Sequence, residues 1–148
     1  MCNRLRISQR VITPGLEAQY RILEGIRNGT WGINMGMHDL IFNARSENLH
    51  TSFWEPMTRD NRGILTVDSF FEKGYEFIKS DHSPMLLPVV FSMRNSFAVV
   101  TMESVGEPKK VHHRMPAIVD EQSAQEWLKQ ATIIPHPANI IINQMEAA

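Results

Sequence analysis

The 148 residues contain only one cysteine, Cys2. No internal disulfide can form, and a reducing compartment fits. A zinc site built on four cysteines is excluded as well. No apolar run approaches the ~20 residues that a spanning helix needs, so no membrane contact is expected. The first 27 residues hold five arginines and no apolar core, so a secretory signal is not expected. Repeats and low-complexity tracts are missing, and proline and glycine are spread evenly. One domain over residues 1–148 is therefore expected. There is no GxSxG, no P-loop and no GxGxxG. The six histidines show neither HxxxH nor HExxH spacing, so no metal and no cofactor is expected. An excess of positive charge is also lacking: 15 basic residues meet 16 acidic ones, for a net charge of −1. That balance does not announce a nucleic-acid binder.

What is present is a globular composition, 43% hydrophobic and 21% charged. Arginine outnumbers lysine ten to five, and Arg4, Arg6 and Arg10 open the chain with no acid among them. A local basic patch on a neutral protein is one reading; an ordinary mixed surface is the other. Strand signals dominate. Leu16, Ala18, Tyr20 and Ile22 alternate with polar residues, although a helix through Leu16, Tyr20 and Leu23 competes. Asn28-Gly29 suits a type I′ turn into Thr30–Ile33. Further strands are expected at Leu40–Ala44, Ile64–Val67, Phe70–Lys73, Tyr75–Ile78, Met85–Ser92 and Phe97–Met102. A last, proline-broken strand region covers Ile133–Ile142. Thr51 or Ser52 is expected to cap a helix to about Arg59, and the clearest helix spans Asp120–Gln130. The fold class is thus α+β, β-rich and mainly antiparallel, with flanking helices.

Cys2 stands out by position. Removal of Met1 would leave an α-amine and a thiol on adjacent carbons. Such a 1,2-aminothiol condenses with an aldehyde to an imine, which the thiol closes into a thiazolidine ring. Both groups titrate near neutrality, at ~7.7–8.0 and ~8.5. Glu72, beside Phe70 and Phe71, could shuttle protons from apolar surroundings; a solvent-facing Glu72 fits the alternation as well. His112 and His113 precede Arg114, and on an extended chain they would point to opposite faces. One of them could act as acid or base, with Arg114 holding a phosphate. Asn43 and Arg45 are likewise two apart. The nine methionines read as core filler, and the three tryptophans as core rather than base-stacking residues.

Four fragments in order resemble the SRAP family, the SOS-response-associated peptidases, which include abasic-site-processing proteins. They are Met1-Cys2-x-Arg4, Asn43-Ala44-Arg45-Ser46-Glu47, Phe70-Phe71-Glu72 and His112-x-Arg114-Met115-Pro116. Pro14-Gly15, Trp31-Gly32, Phe97–Thr101 and Glu126-Trp127-Leu128 fall in the same order. The resemblance implies an SRAP-like domain that binds single-stranded DNA with abasic sites and crosslinks to the sugar aldehyde through Cys2, protecting the strand. It also implies lyase-like chemistry and a peptidase activity that exposes the cysteine by removing Met1. Carried over, Asn43 would orient the α-amine, Glu72 would move protons, and His112 would assist opening of the sugar. Arg4, Arg45 and Arg114 would hold flanking phosphates, and Thr101 would line the pocket. A monomer is expected in the cytoplasm, nucleoid-associated in a bacterial or phage-infected cell or nuclear in a eukaryote. The chain departs from the family in having Asn3 for glycine, Lys73 for an aromatic, and a short Asn34–Leu40 loop without the family's tryptophans. Two alternatives stand beside this reading: an N-terminal-cysteine peptidase, and a noncatalytic DNA-binding module.

Overall fold

The computed structural model describes residues 2–36, 39–133, 135–137 and 139–145. The chain opens with a short hairpin, β1 (Leu5–Ile7) and β2 (Arg10–Ile12), turned by Ser8 and Gln9 at positive φ. Then come β3 (Glu17–Ile22), β4 (Gly25–Trp31), β5 (Ile33–Asn34), β6 (Leu40–Ile41) and β7 (Asn43–Arg45). Helix α1 (Glu55–Asp60) precedes β8 (Arg62–Val67), β9 (Ser69–Glu72), β10 (Tyr75–Lys79), β11 (Met85–Phe91) and β12 (Ser96–Glu103). The chain continues through β13 (Arg114–Pro116), α2 (Glu121–Gln130) and β14 (Ile140–Met145).

Strands β11, β8, β3, β4 and β12 pair in that order, and β12 returns to β11, so these five strands close into a small barrel. Closure leaves no free edge among them. A second sheet, ordered β14-β10-β9-β1-β2, lies against it. Pairing is mainly antiparallel; β12 runs parallel to its neighbours β4 and β7. The apolar run of β12 explains its central place, because both of its faces are buried. Phe97 and Val99 enter the core shared with Leu5, Phe70 and Phe77 of the second sheet. Ala98 and Val100 face the other way, onto Trp127 and Leu128 of α2. Two tryptophans are fully buried, with indole N–H groups bonded to Phe42 O (Trp31) and Gly63 O (Trp127). The methionines divide: Met85 and Met115 are core, whereas Met35 and Met93 are exposed. Among the described residues no helix is long and apolar enough to cross a membrane.

Helix α2 follows its sequence signals. Asp120 Oδ1 accepts the Ser123 N–H at 2.7 Å, and Ala131 ends the helix in the left-handed region. Other expectations are corrected. The β3–β4 turn is at Leu23-Glu24, not at Asn28-Gly29, which pair within the hairpin. Gly29 serves a close approach instead: a Cβ there would sit 3.0 Å from Asn95 O and 3.1 Å from the Tyr20 ring. Helix α1 starts at Glu55, because the Thr51 hydroxyl donates back to Asn48 O rather than capping forward. The last strand begins only at Ile140; Ile133 and Pro135–Pro137 are irregular, and Ile134 and Ala138 lie outside the described residues.

Candidate functional site

Beyond the barrel, β12 gains two new neighbours. Thr101 pairs with Arg45 of β7 on one side and with Pro116 of β13 on the other, and Glu103 pairs with Arg114. Two motifs distant in sequence therefore meet across one strand. In β7 the alternation puts Asn43 and Arg45 on the same face, while Ala44 between them is fully buried in the core. Asn43, Arg45, Thr101, His112 and Arg114 all line a cleft of about 480 Å³. The Asn43 side-chain oxygen is buried and has no hydrogen-bond partner among the described residues. Its amide N–H donates to Phe42 O at 3.0 Å, so the free acceptor is fixed in orientation.

Cys2 and Glu72 form a second, deeper pair that does not line that cleft. Strand β1 lies antiparallel to β9, with Leu5 opposite Phe70, and Phe71 N–H donates to Arg4 O at 3.0 Å. This register carries Cys2 toward the end of β9, where Glu72 is 9% exposed. Cys2 itself is fully buried. Its thiol pKa is pushed up to about 12, by burial first and then by the Glu72 carboxylate. The Arg4 backbone N–H bonded to the sulfur works in the opposite direction. The resting sulfur is therefore a protonated thiol at neutral pH.

The two histidines do not point to opposite faces. The chain is not extended there: a 3-10 turn over Glu107–Lys110 precedes them, and His112 N–H donates to Pro108 O. Their rings lie 4.4 Å apart, tilted by 30°. The Arg114 backbone N–H donates to His112 Nδ1 at 3.0 Å. A backbone N–H can only donate, so Nδ1 is the acceptor and the neutral ring carries its proton on Nε2. The Arg114 carbonyl, 3.3 Å from the same nitrogen, is then a close approach and not a bond. The pKa of His113 is lowered, by desolvation first and then by the charges of His112, Arg45 and Arg114.

The cations fall into two groups. Arg114 is 8% exposed, and its fork is spent inside the protein: Nη1 donates to Glu47 Oε2 at 2.7 Å, and Nη2 donates to Glu47 Oε1 and Thr101 Oγ1, both at 3.1 Å. Glu47 is held down to about pKa 2, chiefly by that guanidinium. Arg6 is likewise bound, to Glu76 at 2.8 Å, and Arg4 lies over the Phe71 ring, 4.7 Å from its centroid. Arg45 is exposed and forms no ion pair among the described residues. Sequence reasoning gave Glu47 no role of its own; its carboxylate two residues beyond Arg45 was the available signal. Among the described residues no group of three or more His, Cys, Asp or Glu could hold a metal ion.

The geometry has relatives. The family model for SRAP, SOS response associated peptidase, matches residues 17–147. A solved structure of a protein from Bordetella bronchiseptica superposes with a TM-score of 0.77 at 15% identity, covering 95% of this chain and 98% of that one. A phage-related protein from the same organism gives 0.70 at 19% identity, over 93% and 83% of the two chains. One from Bacteroides thetaiotaomicron gives 0.65 at 17% identity, over 81% and 66%. These likenesses show a shared fold. No curated protein matches the chain.

Proposed function

Because the chain belongs to the SRAP family, known for abasic-site processing and tied to the DNA damage response, we propose that it crosslinks abasic sites in single-stranded DNA through Cys2. Two observations support this reading: the buried Cys2–Glu72 pair, and a cleft lined by Asn43, Arg45 and His112.

The ring-opened abasic sugar presents a C1′ aldehyde. Once Met1 is removed, the Cys2 α-amine adds to that carbon, and loss of one water gives the imine. The thiol sulfur then bonds to the same carbon while the imine nitrogen gains a proton, which closes the thiazolidine. Burial of the sulfur suits this order, because the amine attacks first and the sulfur adds to an already activated carbon. It suits a cysteine hydrolase less well, since that chemistry starts from a thiolate. Glu72 takes the thiol proton and returns one to nitrogen. The unpartnered Asn43 oxygen accepts from the α-amine. His112, with its proton on Nε2, donates to the ring oxygen as the sugar opens. Arg45 and Arg4 hold flanking phosphates. Arg114, already forked onto Glu47, fixes His112 through its own backbone N–H.

The test is a denaturing gel of protein mixed with a single-stranded oligonucleotide bearing one abasic site. A shifted band without added reductant, missing in Cys2→Ala, is the expected result. Intact mass confirms the loss of Met1 beforehand. A chain that starts at Cys2, binds DNA and yet gives no band would refute crosslinking.

A further inference from the structure

We propose that the cleft on the far side of the two histidines is an anion subsite that grips a backbone phosphate of the same strand, one step away from the reacting sugar. It rests on the DNA reading above and adds residues that reading does not use. The cleft has a volume of about 390 Å³ and shares His112 and His113 with the Asn43 cleft, so the two adjoin at these rings.

Three features suit it to phosphate. Lys73 is delivered by the β9–β10 hairpin, where Lys73 and Gly74 both have positive φ, at 49° and 84°, next to Glu72. This two-residue turn is of the I′ kind, and its Lys73 is part of the cleft lining. Lys109 comes from the 3-10 turn. Its neighbour Lys110 is paired with Glu107 at 2.9 Å, but neither Lys109 nor Lys73 has an ion-pair partner among the described residues. Ser104 lines the cleft with 2% exposure; its backbone N–H donates to His113 O, while its buried hydroxyl has no partner among the described residues. A buried hydroxyl left without a partner costs about 1–3 kcal/mol, so such a group points to a ligand that supplies the bond. Among the described residues Glu103 is the only carboxylate in the lining, and two lysines outweigh it. Flexible ammonium groups suit a phosphate whose position varies with the strand.

The experiment measures equilibrium binding of a labelled single-stranded oligonucleotide over a range of salt. The variants are Lys73→Asn with Lys109→Gln, Ser104→Ala, and Lys129→Gln as a charge control on α2. Asparagine tolerates the left-handed backbone at position 73, so the first variant should fold. Each phosphate that is no longer neutralised makes the log–log salt slope shallower by about 0.7 for a single strand. The double variant is expected to reduce the slope by about 0.7–1.4 and the low-salt affinity by roughly tenfold, with Lys129→Gln unchanged. Ser104→Ala is expected to bind several-fold more weakly with an equal or higher Tm, a split that a purely structural hydroxyl would not give. An unchanged slope in the double variant, or the same change in Lys129→Gln, overturns the subsite. If the wild type still crosslinks in that case, the reading above stands alone. If the slope changes but no crosslink forms, the subsite stands and the crosslinking reading falls. A wild type that binds no single strand overturns both.

Discussion

The floor and the rim of the site solve opposite problems. On the floor, counting the Cys2–Glu72 pair that lies outside the cleft lining, Cys2, Glu72, Thr101 and Arg114 are all buried, and Arg114 spends its fork on Glu47 and Thr101. On the rim, Arg45, Lys73 and Lys109 are exposed and have no carboxylate paired with them among the described residues. The difference shows why a net charge of −1 says little about partners. Several cations here are already neutralised by a neighbour: Arg6 by Glu76, Arg21 by Glu121, Arg59 by Glu55 and Asp60. The ones left over, not the total, define where an anion can bind.

The largest expected effect sharpens the role of the floor. Glu72→Gln should slow crosslinking by about 10²–10⁴-fold, the usual worth of a positioned proton carrier, and leave the salt slope of DNA binding unchanged. The same change removes the negative charge that helps raise the thiol pKa, so alkylation of Cys2 in the folded protein should speed up. Crosslinking at the wild-type rate would take Glu72 out of the mechanism.

Next comes stability, where floor and rim should part. Removing Glu47 leaves the 8% exposed Arg114 guanidinium with Thr101 and with water in place of a carboxylate that was 54% exposed, so Glu47→Ala should cost about 1.5–3 kcal/mol in a urea titration. Arg114→Ala leaves a carboxylate that is 54% exposed and can rehydrate but also gives up the Thr101 bond, so it should cost about the same. Lys73→Asn and Lys109→Gln should stay within about 0.5 kcal/mol of the wild type. Rim variants as destabilising as floor variants would erase the distinction.

The smallest effect is with pH. The Glu47 pKa falls from 4.5 to about 2 on folding. A depressed carboxylate contributes stability that is complete above its unfolded value and fades as pH falls toward the folded one. The Glu47–Arg114 contribution should therefore be flat above pH 4.5 and decline between there and about pH 2. Glu47→Gln should lack that decline, and NMR titration of the Glu47 side chain should give the low midpoint directly. An ordinary carboxylate midpoint would mean that the fork is open in solution.

Much was legible where local signals act alone. Asp120 followed by an acidic first turn announced α2, and Phe97–Met102 read as a strand, which in the fold is buried on both faces over Phe97–Val100. The ordered motifs pointed to the family independently of the fold, because they record the chemistry of side chains rather than their contacts. Local signals failed where a distant neighbour decided. Asn28-Gly29 carries a strong turn signal, yet Asn95 and Tyr20 press on Gly29 and the turn forms at Leu23-Glu24. His112 and His113 would diverge on an extended chain, but the 3-10 turn before them brings the rings together.

By itself, then, the sequence determined an α+β class, a helix over Asp120–Gln130 that the structure starts one residue later, and a cysteine placed to become an aminothiol if Met1 is cut. These depend on periodicity, capping and covalent position, which are properties of neighbours along the chain. Tertiary structure alone decided that Thr101 would bridge Arg45 and Arg114, that Glu47 would occupy the Arg114 fork, and that Cys2 would be buried beside Glu72. Those outcomes depend on register between strands far apart in sequence. A shift of one residue in either pairing would turn every side chain to the other face.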